Sequence, residues 1–231
     1  MQYSRMNPSV HYSKNVAAWR ARHSVLSANP NDAGYAALRG ESIYAYAGVI
    51  KRMMGLTRAQ TLLDYGSGQG FQYRERVVTV KAGHHNLALA EFWGAHEIQC
   101  YDPAFPPYAA LPSTASDGVL VIDTLQYVPT DDLAWVISEI FSRARKFVFA
   151  VVGAPDAHTP IPCEAPLYDP NAPSWPALFH AQASTAGYEN ALWELYVNEP
   201  DHNFGKKTQR FGNFLWLDDV QRYPPLEVVN R

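Results

Sequence analysis

Thiols, excess positive charge and long apolar runs are all scarce in this 231-residue chain, and each scarcity removes a class of function. The two cysteines, Cys100 and Cys163, are far apart and lack C-x-x-C spacing. Neither a disulfide framework nor a thiolate zinc site is suggested. Lysine and arginine number 19 against 22 aspartate and glutamate, a net charge of −3. Such a balance gives no long-range attraction to phosphate backbones or anionic lipid, which makes nucleic acid and membrane unfavoured partners. The densest basic cluster, Lys206-Lys207-Thr208-Gln209-Arg210, reads as a solvated hairpin loop. The longest apolar run, Phe147 to Val152, is too short to span a bilayer, and Met1 to Pro8 lacks the apolar stretch of a signal peptide. The expectation is a soluble, cytoplasmic protein. The adjacent His84 and His85 cannot project to one face of a helix, so no metal site is assigned.

What the chain does contain is 17 prolines and 14 tyrosines, a composition of long ordered loops rather than of disorder. Its length suits one large α/β domain. Residues 1–36 read as an N-terminal arm with a helical turn or two around Val16 to Arg22, ended by Asn29-Pro30. Residues 37–231 form the domain. Helical spacing predicts a helix from Ser42 to Met54 with Gly55 as its stop, then a strand Thr61 to Tyr65. A helix is expected from Gln69 to about Val80, a second from Asn86 to Trp93, and a strand from Glu97 to Asp102. Asp117 to Asp123 has the continuous apolar run of a strand buried on both faces. Thr130-Asp131-Asp132 caps a helix from Leu133 to Ala144, followed by a strand Lys146 to Val152. After the proline-rich segment Pro155 to Pro176 come a helix, Trp175 to Ala186, and a hairpin of Ala191 to Val197 with Phe211 to Leu217. Strands alternating with helices argue a three-layer α/β sandwich, mostly parallel, with a C-terminal antiparallel hairpin. The stretch Pro103 to Ser116 is too short for a helix plus a strand, so the third strand is expected to be abbreviated.

The most informative segment is Leu62-Leu63-Asp64-Tyr65-Gly66-Ser67-Gly68-Gln69-Gly70, an apolar strand closed by an acidic residue and a loop with glycine at alternate positions. In α/β sheets ligands sit at the carboxyl ends of strands, where glycine leaves bare main chain for close approach. The dinucleotide fingerprint G-x-G-x-x-G needs glycine where Phe71 stands. A nicotinamide-dependent oxidoreductase therefore loses weight.

This segment resembles the first motif of the class I S-adenosylmethionine-dependent methyltransferases. The resemblance covers about Ser42 to Leu217, with specific motifs only between Leu62 and Pro129. It implies the Rossmann-like methyltransferase fold and S-adenosyl-L-methionine as cofactor. It further implies that Asp64 orients the loop and the amino end of the methionine moiety, that Gly66, Ser67, Gly68, Gln69 and Gly70 line it, and that Asp102 accepts bonds from the ribose hydroxyls. Tyr108, Leu111 or Ser113 would flank the adenine. The fourth-strand motif is matched in frame by Asp123-Thr124-Leu125-Gln126-Tyr127-Val128-Pro129, but Gln126 and Tyr127 stand where the family carries an acid and a histidine.

Methyl transfer needs alignment, water exclusion and, for a hydroxyl acceptor, a base. Asp123, which also faces the cofactor, and Tyr127 are the catalytic candidates; His158 and His180 are less favoured. The acceptor expected is a small molecule or a sugar hydroxyl, bound near Pro155 to Pro176, Trp175, Phe179 and the N-terminal arm. The alternatives are a noncatalytic S-adenosylmethionine-binding module, motivated by Tyr127, and a nucleic-acid base methyltransferase. Phe105-Pro106-Pro107-Tyr108 resembles the motif of the latter but lacks the side-chain oxygen that would hold an amine.

Overall fold

Side chains along the central strands alternate between two apolar layers, which is what a sheet covered on both faces requires. The computed structural model describes residues 3–29, 40–74, 76–80, 85–153, 174–185, 188, 192–201, 205–213 and 227–230. Its strands are β1 (Thr61–Tyr65), β2 (Arg76–Val80), β3 (His85–Leu87), β4 (Glu97–Tyr101), β5 (Ser116–Ile122), β6 (Ala144–Gly153), β7 (Leu192–Asp201), β8 (Gly205–Gly212) and β9 (Glu227–Asn230). The helices are α1 (Val10–Ala28), α2 (Ile43–Thr57), α3 (Phe71–Arg74), α4 (Leu89–Trp93), α5 (Thr130–Ser142) and α6 (Trp175–Thr185).

Six strands form the main sheet in the order β4-β1-β5-β6-β7-β8. All neighbours are parallel except β7 and β8, the antiparallel edge pair. On one face Leu63, Val119, Val121, Val148, Ala150 and Leu195 pack with Ile137, Ile140 and Phe141 of α5 and Phe179 of α6. On the other, Leu62, Leu120, Phe147, Phe149 and Val151 meet Ile50, Met53 and Met54 of α2 and Phe92 of α4. The result is a three-layer α/β sandwich. Strand order reverses between β1 and β5, because the chain runs outward from β1 to β4 and then returns to β1's other side. Ligands of doubly wound sheets bind at such a switch point.

Several elements depart from what the sequence predicts. The helix expected from Gln69 to Val80 is a single turn, α3, after which the β-branched run Val77 to Val80 goes into β2. The helix expected from Asn86 starts at Leu89, since His85 to Leu87 pair with β2 as β3. β9 completes this small three-stranded sheet, pairing Arg76 to Thr79 with Glu227 to Asn230. No strand follows β4 before β5; Pro106–Tyr108 forms only a 3-10 turn there. α2 runs past Gly55 to Thr57 and stops at Arg58, whose φ is 50°. β8 lies earlier than the predicted Phe211 to Leu217, because Lys206 to Arg210 pair with β7 instead of forming a loop. Residues 214–217 lie outside the described residues. The arm's helical turn is a full helix, α1, with Ser9 as its cap accepting a bond from the Tyr12 amide.

Among the described residues no helix is long and apolar enough to cross a membrane. Gly118 in β5 shows how tightly the sheet meets α2's layer: a Cβ there would run into the ring edge of Phe147 and come within 2.9 Å of Leu62 Cδ2. Gly118→Ala should therefore destabilise the protein by about 1 to 3 kcal/mol through overpacking. Urea unfolding checks this, and an unchanged midpoint would show that the layer yields.

Candidate functional site

Five parallel strands bring their carboxyl ends to one rim, and the loop after β1 is stitched to the end of β4. The Tyr101 carbonyl accepts from the amides of Gly66 at 2.7 Å and Ser67 at 3.1 Å. Gly68 donates its amide to Asp102 Oδ2 at 3.0 Å, and the Gly70 amide bonds the Ser67 carbonyl at 3.1 Å. Gly66, Gly68 and Gly70 all have positive φ, at 87°, 57° and 68°. That conformation explains glycine at alternate positions. A Cβ on Gly66 would also strike Thr124, with Thr124 Cβ only 2.8 Å away, so the β1 and β5 loops touch at the switch point.

Asp64, at the fourth position of β1, is buried and accepts from Gln72 Nε2 at 3.0 Å and Tyr73 Oη at 2.8 Å. Burial pushes its carboxyl up to about 6, with the Asp102 charge adding to the rise and the two hydrogen bonds opposing it. Asp102 is held more openly. Its Oδ1 accepts from the Ala104 amide at 2.8 Å, and Oδ2 faces Nε2 of His23 at 3.7 Å. Burial likewise raises the Cys100 thiol, to about 12, so it is no nucleophile.

The β5 end carries Asp123 with φ 51°, a left-handed conformation that aspartate tolerates. Its Oδ1 lies 3.0 Å from where a Cβ on Gly153 would sit, so the glycine at the end of β6 makes room for this carboxylate. The Asp123 charge also reaches Tyr46 of α2, whose phenol is raised chiefly by burial and lowered by its bond from Asn198 Nδ2 at 3.0 Å. Asn198 in turn accepts from Thr208 Oγ1 at 2.7 Å. Tyr46, Asn198 and Thr208 thus extend the polar rim toward β7 and β8. No sequence motif marks them; only the sheet register sets Asn198 opposite Thr208.

Tyr127 sits in a 3-10 turn with its ring against Trp19 of α1, centroids 4.9 Å apart. Gln69 is buried and turned toward α1, bonding the His23 carbonyl at 3.3 Å and Ser27 Oγ at 3.1 Å. Tyr108 lies against the loop, 3.1 Å from a Cβ position on Gly70. Ser113 is drawn away, its carbonyl accepting from Arg143 at 3.0 Å beside the start of β5, and Leu111 packs against the core. Phe179 is fully buried, its ring near those of Phe141 and Trp193, and Trp175 belongs to the same core cluster. These aromatics hold α6 to the sheet. His180 is on the exposed side of α6; His158 and Pro155 to 173 lie outside the described residues. Among the described residues no cluster of His, Cys, Asp and Glu side chains is fit for a metal ion.

The sequence puts the N-terminal arm near the acceptor; what it misses is that α1 lies over the glycine loop with His23 facing Asp102. Tyr12, Asn15, Trp19, His23 and Leu26 recur at helical spacing, but two of the five are polar, and a search for apolar periodicity passes over them.

The raised Asp64 carboxyl has a thermodynamic consequence. The native state holds this proton more tightly than the unfolded chain, so the stability it contributes is present at low pH and is lost as pH rises from about 4 through about 6. Two pH units at 1.36 kcal/mol each set the loss on the order of 3 kcal/mol. Carboxyl-carbon NMR should find Asp64 titrating near 6 in the folded protein, and a midpoint near 4 would refute the assignment.

No family model, no curated protein and no solved structure matches the chain.

Proposed function

We propose that the chain is a Rossmann-like, S-adenosylmethionine-dependent methyltransferase acting on a small-molecule or sugar hydroxyl. The observation that carries this is the chemistry of the β1 loop: Asp64 and Asp102 flank it, and the amides of Gly66, Ser67, Gly68 and Gly70 all bond within the protein. A dinucleotide's pyrophosphate needs free main-chain N–H groups and a helix N-terminus. Here those amides are committed, α3 is a single turn, and both neighbouring side chains are acidic. The donor set suits instead a ligand that is cationic at one end and offers ribose hydroxyls at the other.

S-adenosyl-L-methionine fits that description, with Asp64 and the Gly66 to Gly70 loop beside its amino acid moiety and Asp102 at its ribose. The chemistry supplied by the bound cofactor is an electrophilic methyl group on a sulfonium. The protein's own part is alignment, exclusion of water and removal of the acceptor proton. Asp123 is the favoured base. Its carboxylate is set beside Gly153 at the strand ends, and the neighbouring Tyr46, kept neutral by burial, is able to donate a hydrogen bond to an acceptor oxygen. Tyr127, turned against Trp19, suits a positioning role better than proton transfer.

Calorimetry with S-adenosylhomocysteine tests the cofactor assignment. It should bind the wild-type chain and resist displacement by NAD. Asp102→Ala should cost about 1.5 to 3 kcal/mol of that affinity, the range for hydrogen bonds to a charged group. Tight NAD binding without S-adenosylhomocysteine binding would point to an oxidoreductase. With labelled methyl donor and pooled hydroxyl acceptors, Asp123→Asn should reduce turnover about 100-fold or more, as loss of a general base does. Binding without turnover in the wild type would favour a noncatalytic module.

A further inference from the structure

α1 lies across the site from end to end. Its start is pinned to α5, where Ser9 donates its amide to the fully buried Asp132 at 3.0 Å and Arg5 pairs with Glu139. Midway, Asn15 Nδ2 bonds the Tyr127 carbonyl at 3.1 Å and Trp19 meets the Tyr127 ring. Arg20 then bonds the Pro103 carbonyl at 3.2 Å, His23 faces Asp102 and the Phe105 ring, and Ser27 receives the Gln69 amide. Under this helix Gln69 is 3% exposed, and His23 itself is 2% exposed. A ligand as large as a nucleoside cannot reach buried groups while their cover stays closed.

We propose that α1 is a gate over the nucleoside site and that His23 is its latch on Asp102. Cofactor enters when α1 lifts, and the carboxylate exchanges the imidazole for the ribose hydroxyls. The contacts divide accordingly. The firm attachments, Ser9 on Asp132 and Arg5 on Glu139, are at the start of α1 and form a hinge. The contacts from Asn15 to Ser27 are hydrogen bonds, ring edges and the small apolar cluster of Leu26, Trp19 and Phe71, lying over the β1, β4 and β5 loops and apart from the two large cores. This gate rests on the cofactor assignment above, but kinetics separate the two.

The test uses rapid mixing of the full chain with S-adenosylhomocysteine, followed by tryptophan fluorescence, to which Trp19 on Tyr127 contributes. The observed rate should level off at high ligand, at the rate of opening. His23→Ala should raise that plateau several-fold with the far-ultraviolet circular dichroism unchanged. It should also speed amide exchange across residues 15–27. His23→Gln, which keeps a donor toward Asp102, should stay near the wild-type plateau. A rate rising linearly with ligand at equal slope in all three proteins would overturn the gate while leaving the cofactor site standing. Absence of S-adenosylhomocysteine binding by the folded wild-type chain would overturn both.

Discussion

The Tyr101 carbonyl, accepting two amides from the neighbouring loop, is the contact on which the site depends. It fixes the turn after β1 to the end of β4 and so carries Gly68 to Asp102, whose carboxylate then closes the connection. Each of these bonds consumes a donor that a phosphate would otherwise claim. A loop with alternate glycines is thereby converted from an anion cradle into a surface bordered by carboxylates. The same bonds leave positive φ at three glycines, which explains why β-carbons are excluded from this stretch.

Burial and charge are distributed unequally between the two carboxylates. Asp64 is enclosed by Gln72 and Tyr73 and pays for its isolation with a raised pKa, whereas Asp102 stands at the rim under His23. The first is suited to shaping the loop and the second to meeting a ligand directly. Across the switch point, Asp123 has an unusual backbone conformation and a glycine opposite its carboxylate. The left-handed turn at this strand end suits aspartate, one of the few side chains that tolerate it. Tyr46 and Asn198 join it from α2 and β7, so the polar rim draws on elements distant in sequence.

Most of the sheet was legible beforehand because its strands are short apolar runs with turn residues at their ends. Leu62-Leu63 and Val119 to Val121 are fully buried in the sheet, as their apolar runs lead one to expect. Failure occurred where local preference and partner choice compete. Gln69 to Val80 contains enough apolar residues for a helix, yet Val77 to Val80 are also good strand formers, and the availability of β3 and β9 as partners settles the matter. Lys206 to Arg210 likewise looks like a loop by charge. In the fold it is an edge strand, where lysine is welcome and Arg210 finds the buried Glu194.

By itself the sequence determined the α/β class, the position of the glycine loop and the acidic residues that end β1, β4 and β5, since period, turn chemistry and glycine spacing are local properties. Only the tertiary structure decided that α1 covers that loop, that His23 meets Asp102, and that Tyr46 and Asn198 approach Asp123. Those encounters link residues dozens of positions apart, and no local pattern encodes which surface a half-polar helix will choose. The choice falls to the rim of the sheet because there the Tyr127 and Pro103 carbonyls, the Gln69 side chain, the Asp102 carboxylate and the Tyr127 and Phe105 rings offer partners for both the polar and the apolar positions of one helix face.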